Sequence, residues 1–502
     1  MDSVPVYGGE NLNMGLYNTM PMRNGGAGVA RVCFVFSMHH PYPVNTDFHP
    51  RSGDPEECSF DRDGRDRFLQ LVAGAYLPAF EILQTWRDRG VPCSMSCSGT
   101  TVEQLERWAP EAYDLFRDCI AAGRTELIAG TYYQSVVGLF SDQDEFLEQV
   151  GMHLGLMETL GGEKPRIFDS AGVPLSPVMA ASLRTTGMRG AYIEGRGATS
   201  AGMDPGFVYR YAGLPVLVKH CPLSDDITER LHHPGWDRYP LTPDTFAGWI
   251  ASSPGDCIHL SIDLAAFRTR GGREHTLQEF MRSLPEALAD HGITPTTPSV
   301  VVDALADTPG SADETWGDAS SIWEKNMFQQ SALDALECAG RWLPDKRIWR
   351  RLSATDHFHA MTMHSGGCGR AYRQVSQQEA FDSFTAFMRA LSHLEEASLP
   401  AAASKDAART LRSIPPEAAF HFSSKERSAG YSAYSLQELS DMLEFAPEEA
   451  IAYHRERDDF ARWISDVIGD TRLGAIARDC TNRDELRTAI QNRIRESWDR
   501  LR

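Results

Sequence analysis

A histidine pair, a tyrosine pair and three acids each stand directly after a short apolar run, where the end of a buried strand meets solvent. His39-His40-Pro41-Tyr42 follows the run Val29–Ser37. A histidine placed there can hydrogen-bond a ligand, hold a metal or move a proton, or it can simply brace a loop. Thr131-Tyr132-Tyr133-Gln134-Ser135 follows a third such run; adjacent tyrosines suit stacking on a flat ligand face, or covering the rim of a sheet. Asp263 closes Ile258-His259-Leu260-Ser261-Ile262, which makes it a helix N-cap or a catalytic carboxylate. Asp169 and Glu194 end shorter apolar runs, and Gly172 lies three residues beyond the first of them. Further along, Asp356-His357-Phe358-His359 offers an acid–histidine pair that can orient a ligand or fix a loop. Zinc ligation by His39, His357 and an acid is chemically conceivable, but the spacing does not establish it, and no metal or other cofactor is expected.

The elements that must position these residues alternate. Val29–Ser37 is rich in valine and phenylalanine, the pattern of a strand buried on both faces. Residues 65–88 carry Phe68, Leu69, Val72, Tyr76, Leu77, Phe80 and Leu83 on one helical face. Strands are then expected at 91–97, 126–129, 166–169, 191–194 and 257–263, with helices at 111–122, 143–160, 176–186 and 276–291 between and after them. Such alternation predicts an α/β unit with a parallel sheet, open or closed into a barrel, whose chemistry sits beyond the carboxyl ends of the strands. From Ala319 the pattern turns helical, at 322–343 and 379–396, around a histidine- and glycine-rich stretch. Ala401–Lys405 reads as a linker, and residues 416–502 as a further unit with a short strand at 419–422 and amphipathic helices.

The chain has 502 residues, 42% hydrophobic and 24% charged, enough for a large core without staples. Its net charge of −20 disfavours nucleic acid and anionic membrane surfaces, whereas a neutral small molecule meets no such barrier. The ten cysteines lack C-x-x-C spacing, and Cys33 in Arg-Val-Cys-Phe-Val-Phe reads as a reduced core thiol. No apolar run reaches spanning length, and the polar, glycine-rich first 27 residues do not resemble an export signal, so a cytoplasmic location is expected.

In order along residues 30–480, these blocks resemble the α-amylase-type branch of glycoside hydrolase family 57. The family's His-Gln-Pro-Tyr is His39-His40-Pro41-Tyr42 here, and its Glu-Thr-Tyr-Tyr-His-Ser is Gly130-Thr131-Tyr132-Tyr133-Gln134-Ser135. The helix Asp144–His153, the acid–glycine element Ile193-Glu194-Gly195, Leu223-Ser224-Asp225-Asp226-Ile227 and Asp356-His357-Phe358 also match. The last unit, from Ala419-Phe420-His421-Phe422 to Asp459–Ile464, resembles an accessory domain often attached to these enzymes.

The resemblance implies a distorted (β/α)7 barrel over 29–310 after a flexible lead (1–28), a helical bundle over 311–400 and a small C-terminal accessory domain over 416–502. It also implies carbohydrate as the partner molecule and retaining cleavage of α-glucosidic bonds by two carboxylates about 5–5.5 Å apart. Yet the family's nucleophile block, Phe-Arg-Asn-Thr-Glu-Leu-Ile-Tyr, is Phe168-Asp169-Ser170-Ala171-Gly172-Val173-Pro174-Leu175, with Gly172 at the glutamate position. The acid block, Asp-Tyr-Glu-Thr-Phe-Gly, keeps Asp263 but has Ala265 for its second acid, and Lys219-His220-Cys221-Pro222 replaces an Arg-Asn-Tyr-Arg run. Glycine cannot form a glycosyl-enzyme intermediate.

Three readings follow. In the first, altered chemistry runs through Asp263 as general acid, with water beside Gly172 activated by Asp169 or Glu194. Variants of it use a substrate group as nucleophile, or metal assistance through His39 and His357. In the second, the protein only binds glucan or regulates, with Tyr132, Tyr133 and Trp316 as stacking surfaces; in each, His39, Gln134, Gly172, Asp356 and His357 are expected around the substrate. In the third, the chain is an ordinary amylase with Asp169 shifted into the nucleophile's place.

Overall fold

A computed structural model describes residues 31–46, 55–61, 63–121, 125–200, 202–268, 276–305, 326–362, 375–423 and 428–501. The expected flexible lead and Trp316 lie outside the described residues. Strand β1 (Arg31–Met38) is the centre of a five-stranded sheet with β2 (Cys93–Cys97), β3 (Thr125–Ile128), β8 (Ile258–Asp263) and β9 (Thr294–Thr296). Its order is β3-β2-β1-β8, with β9 also paired to β1, and every pair is parallel. A second sheet joins β4 (Ile167–Asp169), β5 (Gly190–Ile193) and β7 (Leu214–Val218) in parallel and adds β6 (Val208–Tyr211) antiparallel to β7.

Main-chain contacts bridge the two sheets on both sides. Ala129, just past β3, pairs with Phe168 of β4, and His220 N, just past β7, donates to His259 O of β8 at 2.7 Å. The architecture is therefore α/β with parallel strands whose carboxyl ends share one rim. Strands β1, β5 and β7 are mostly apolar because both their faces are covered; in β1, Val32, Cys33, Phe34 and Phe36 are fully buried. Trp86, on the helix Leu77–Asp88, packs edge-on to Phe34 and Phe36 and donates its indole N–H to Met281 O at 2.8 Å. Burying that ring with its one donor satisfied fixes the helix on the sheet, and truncation to alanine costs about 3–5 kcal/mol.

The expected strands and helices up to residue 291 appear within a residue or two of their expected bounds, the expected helix 322–343 is observed as Met327–Gly340, and further elements lie between them, among them the β6–β7 hairpin and the helix Gly99–Trp108. The β6–β7 hairpin lacks an Asn-Gly signal; its two-residue turn is Ala212-Gly213, both in the left-handed region at φ 47° and 77°. The helix Gly99–Trp108 begins Gly-Thr-Thr, poor in helix formers, and is held by Ser98, whose side chain accepts from Thr101 N.

After the sheets come the helices Met327–Gly340, Arg347–Leu352, Thr355–His359 and Gln377–Ser398. Leu336, Trp349, Phe358, Phe387 and Leu391 from these helices share one core with Phe146, Phe168, Leu183 and Ala191 of the sheet layer. This shared core seats the short helix Thr355–His359 over the rim. The expected linker at 401–405 is in part ordered: Lys405–Leu411 is a helix with Ala407 and Ala408 fully buried. The hairpin β10 (Phe420–Ser423) and β11 (Ser428–Ala433) and the helices from Leu436–Phe445 to Arg483–Leu501 enclose a separate core around Phe422, Leu439, Leu443, Ile464 and Ile490.

Candidate active site at the carboxyl rim

His39 stands one residue past β1, its side chain almost wholly enclosed, and both ring nitrogens are engaged. Nδ1 lies 2.7 Å from Ser98 Oγ and Nε2 2.6 Å from Asp356 Oδ2. Ser98 directly follows β2 and donates its backbone N–H to Met38 O at 3.1 Å, so the histidine ties β1, β2 and the helix Thr355–His359 together. That helix is anchored from below: Thr355 N donates to Gln134 O at 2.9 Å, and Ser135 bridges Ala354. Gln134 sits at φ 51°, a turn conformation that presents its carbonyl to the helix. His357 lies 3.2 Å from Arg351 O through Nε2, and burial holds its pKa down to about 4, so it is neutral near pH 7. His40 is likewise held to about 4 by burial, with Gln104 Oε1 at 3.0 Å.

The tyrosines divide. Tyr132 is half-buried and donates its hydroxyl to Glu103 Oε1 at 2.7 Å, and burial together with Glu103 raises its pKa. Its ring lies where a Cβ on Gly99 would come within 2.4 Å, so glycine at 99 is what lets the tyrosine seat against the helix. Tyr133, 5.0 Å from Tyr132 between ring centroids, is only 6% exposed and offers no sugar-sized face. It belongs to the packing beneath the rim, a correction to the expectation that both rings stack on substrate.

The acids end three different strands. Asp169 ends β4, and both its oxygens accept from Lys219 Nζ, at 2.8 and 3.0 Å, while Oδ1 also accepts from Ala171 N at 3.0 Å. Ala171 and Gly172 follow at φ 53° and 84°, two consecutive left-handed residues. A glutamate at 172 would be strained in this backbone, by about 1–2 kcal/mol. Glu194, just past β5, is buried and accepts from the Cys221 thiol at 3.1 Å through Oε1. A Cβ on Gly195 would fall 1.7 Å from Lys219 O, so only glycine lets the β5 and β7 ends approach this closely. Asp263 ends β8 opposite Ser37 of β1, and its Oδ1 accepts from Ala265 N at 2.9 Å, capping the turn Leu264–Phe267. Nearby, Asp225 pairs with Arg196 and Asp226 with Arg230.

The pattern of Glycosyl hydrolase family 57 matches residues 45–309, more than half of the chain. The chain belongs to this family. A Methanocaldococcus jannaschii protein with the provisional name alpha-amylase is 28% identical over 344 residues, 66% of this chain and 73% of that protein. Among solved structures, the 4-alpha-glucanotransferase of Thermococcus litoralis matches with a TM-score of 0.52 at 13% identity, over 81% of this chain and 63% of that one. A GH57-type branching enzyme of Pyrococcus horikoshii matches with a TM-score of 0.50 at 13% identity, over 76% of this chain and 90% of that one. At such identities the structural likeness speaks for the fold alone.

In this family 57 chain the rim gathers His39, Asp356, Tyr132, Asp169, Glu194 and Asp263, but not as a set of free carboxylates. The third sequence reading, Asp169 as a displaced nucleophile, meets the ammonium of Lys219 across both oxygens. Lys219 and Cys221 are not site residues by sequence alone; the residues just past β7 join the rim only once that strand is placed. Nor are His39 and His357 gathered with a third ligand. Among the described residues the one group of three or more close metal-ligating side chains is Cys33, Cys257 and His259, away from the rim.

Proposed function

We propose that this family 57 chain acts on an α-glucan or a closely related sugar by single displacement, with Asp263 as general acid and Glu194 as the base that activates water. The observation that carries this reading is the pairing of a retained, buried Asp263 with a left-handed Gly172 on the same rim. An acid survives where the leaving group would be protonated, while the opposite position lacks a side chain and has a backbone shape hostile to glutamate. Asp169 is then a charge partner of Lys219 rather than a base. Asp356, held at 2.6 Å by the enclosed His39, is the polar wall that meets sugar hydroxyls, with Tyr132, Gln134 and His357 around it.

The same proposal takes the parallel strands of the two sheets as a distorted (β/α)7-type barrel. Its support is the Ala129–Phe168 bridge on one side and the His220–His259 contact on the other. The helical segment and the C-terminal unit are read as bundle and accessory domain. We also place the protein in the cytoplasm; no helix among the described residues is long and apolar enough to cross a membrane, and the described cysteines form no disulfide.

A second reading, a glucan-binding protein without turnover, draws on one observation: Asp169 and Glu194 are both engaged inside the protein, by Lys219 and Cys221. Product release from malto-oligosaccharides by the wild type and by Asp263→Asn separates the two. Asparagine keeps the cap to Ala265 N, so folding is preserved while the proton is lost; turnover is expected to fall about 10²–10⁴-fold. Inverted product anomers support single displacement. Retained anomers, or an Asp263→Asn variant as active as wild type, sink it, and tight binding with no wild-type turnover favours the second reading.

A further inference from the structure

The strands carry a second cluster of chemistry far from the rim. Cys33 lies in the amino-terminal half of β1, Cys257 immediately precedes β8, and His259 is the second residue of β8. The register pairs Cys33 with His259. Four residues of strand, about 13 Å, separate His259 from Asp263 and six, about 20 Å, separate Cys33 from His39, so this cluster lies below the candidate active site. All three residues are buried, and the two sulfurs with a ring nitrogen of His259 lie within 4.8 Å of one another.

Three further observations make this more than apolar packing. The Cys33 and Cys257 sulfurs are 3.6 Å apart. Two thiolates on one tetrahedral zinc, each about 2.3 Å from the metal, sit about 3.8 Å apart. His259 is 1% exposed, its Nδ1 lies 2.8 Å from the Tyr192 hydroxyl, and its Nε2 has no hydrogen-bond partner. An orphaned buried ring nitrogen calls for an explanation. Glu126 is close enough that its charge acts on Cys33, and its Oε1 also has no partner.

We infer that Cys33, Cys257 and His259 form a structural site for a thiophilic d¹⁰ cation, with Zn²⁺ the fitting ion, clamped between β1 and β8. Each thiol gives its proton to bulk water as it ligates, and the Tyr192 hydroxyl and the Glu126 carboxylate complete the polar surroundings. The clamp ties positions 224 residues apart in sequence, so its expected effect is on the stability of the sheet rather than on turnover.

The test is to produce the full chain in zinc- or cobalt-supplemented medium, so that the ion is available as the core forms. Metal content is measured after gel filtration, together with the cobalt absorption spectrum. The expected result is one ion per chain, a thiolate-to-cobalt charge-transfer band and a tetrahedral ligand-field band. X-ray absorption on the zinc form should read two sulfurs and at least one nitrogen. Cys33→Ser/Cys257→Ser should lose the ion and the band, whereas Cys97→Ser, a buried thiol elsewhere, should keep both. The spectrum of the wild type stands by itself if the double variant fails to fold. A wild type without bound metal, a band that survives the double substitution, or recovery of Cys33 and Cys257 as a disulfide would each overturn the assignment.

Discussion

Replacing Lys219 by methionine removes the ammonium and leaves a side chain of similar length. In the wild type the two charged groups are about nine-tenths buried, and Nζ lies 2.8 and 3.0 Å from the Asp169 oxygens. At an effective dielectric of about 20 the gross attraction at this separation is about 6 kcal/mol. Desolvation of both ions offsets much of it, so the net worth of the pair against an apolar substitute is small. Removing one partner is different, because Asp169 stays buried with its backbone contact to Ala171 N and no ammonium. The expected loss for Lys219→Met is therefore about 3–5 kcal/mol. Asp169→Asn/Lys219→Met should recover at least half of that, since no uncompensated charge remains. The assay is a double-mutant cycle by urea unfolding, followed by hydrogen exchange at β4 and β7 to show that the loss is local to those strands. A Lys219→Met variant within 1 kcal/mol of wild type would refute the view that Lys219 neutralises Asp169, and would reopen Asp169 as the water-activating base.

Two further changes probe other parts of the chain. Gly172→Glu should not restore retaining hydrolysis, because φ is 84° there, and it should lower stability by about 1–2 kcal/mol; proton NMR of the first-formed anomer and a melting curve check both parts. Glu395, on the helix Gln377–Ser398, is raised from 4.5 to about 8 by burial, against Ser413 contacts and the nearby Arg412 that lower it, with Glu396 adding a raising effect. A raised folded-state pKa means that its contribution is fully present below about 4.5 and is lost as pH rises through about 8. Glu395→Gln should thus flatten the fall in stability across that interval, as read from urea midpoints at several pH values, and an unchanged slope would count against a buried, protonated Glu395.

Much of the rim was legible in the sequence because it follows from two regularities. Strands buried on both faces read as unbroken apolar runs, and parallel strands deliver the residues after those runs to one edge. His39, Asp169, Glu194 and Asp263 were found that way, each within a residue of a strand's end. The rule failed where its input failed. β7 is the run Leu214–Val218, but it is reached by a hairpin whose turn is Ala212-Gly213, and alanine at φ 47° leaves no turn signature. With β7 unseen, Lys219 and Cys221 looked like mere departures from a family block, although they are the partners of Asp169 and Glu194. Burial was also out of reach: nothing in Tyr132-Tyr133 says that the second ring turns inward while the first turns to Glu103.

The departures at Gly172 and Lys219 gain a common meaning from this geometry. In the sequence they stand 47 positions apart and look like independent erosion of a catalytic site. In the fold they meet around one carboxylate, Asp169, whose oxygens take the Lys219 ammonium on one side and the Ala171 N–H of the left-handed turn on the other. That turn is the conformation glycine at 172 permits, so Gly172 and Lys219 support a single local structure. A site that had merely decayed would have no reason to build a buried, doubly bonded ion pair at the end of β4, since such a pair stabilises little against an apolar alternative. What such a pair does supply is a fixed position for charge at the end of β4. Under the single displacement proposed above, Asp263 and Glu194 are the carboxylates to test first.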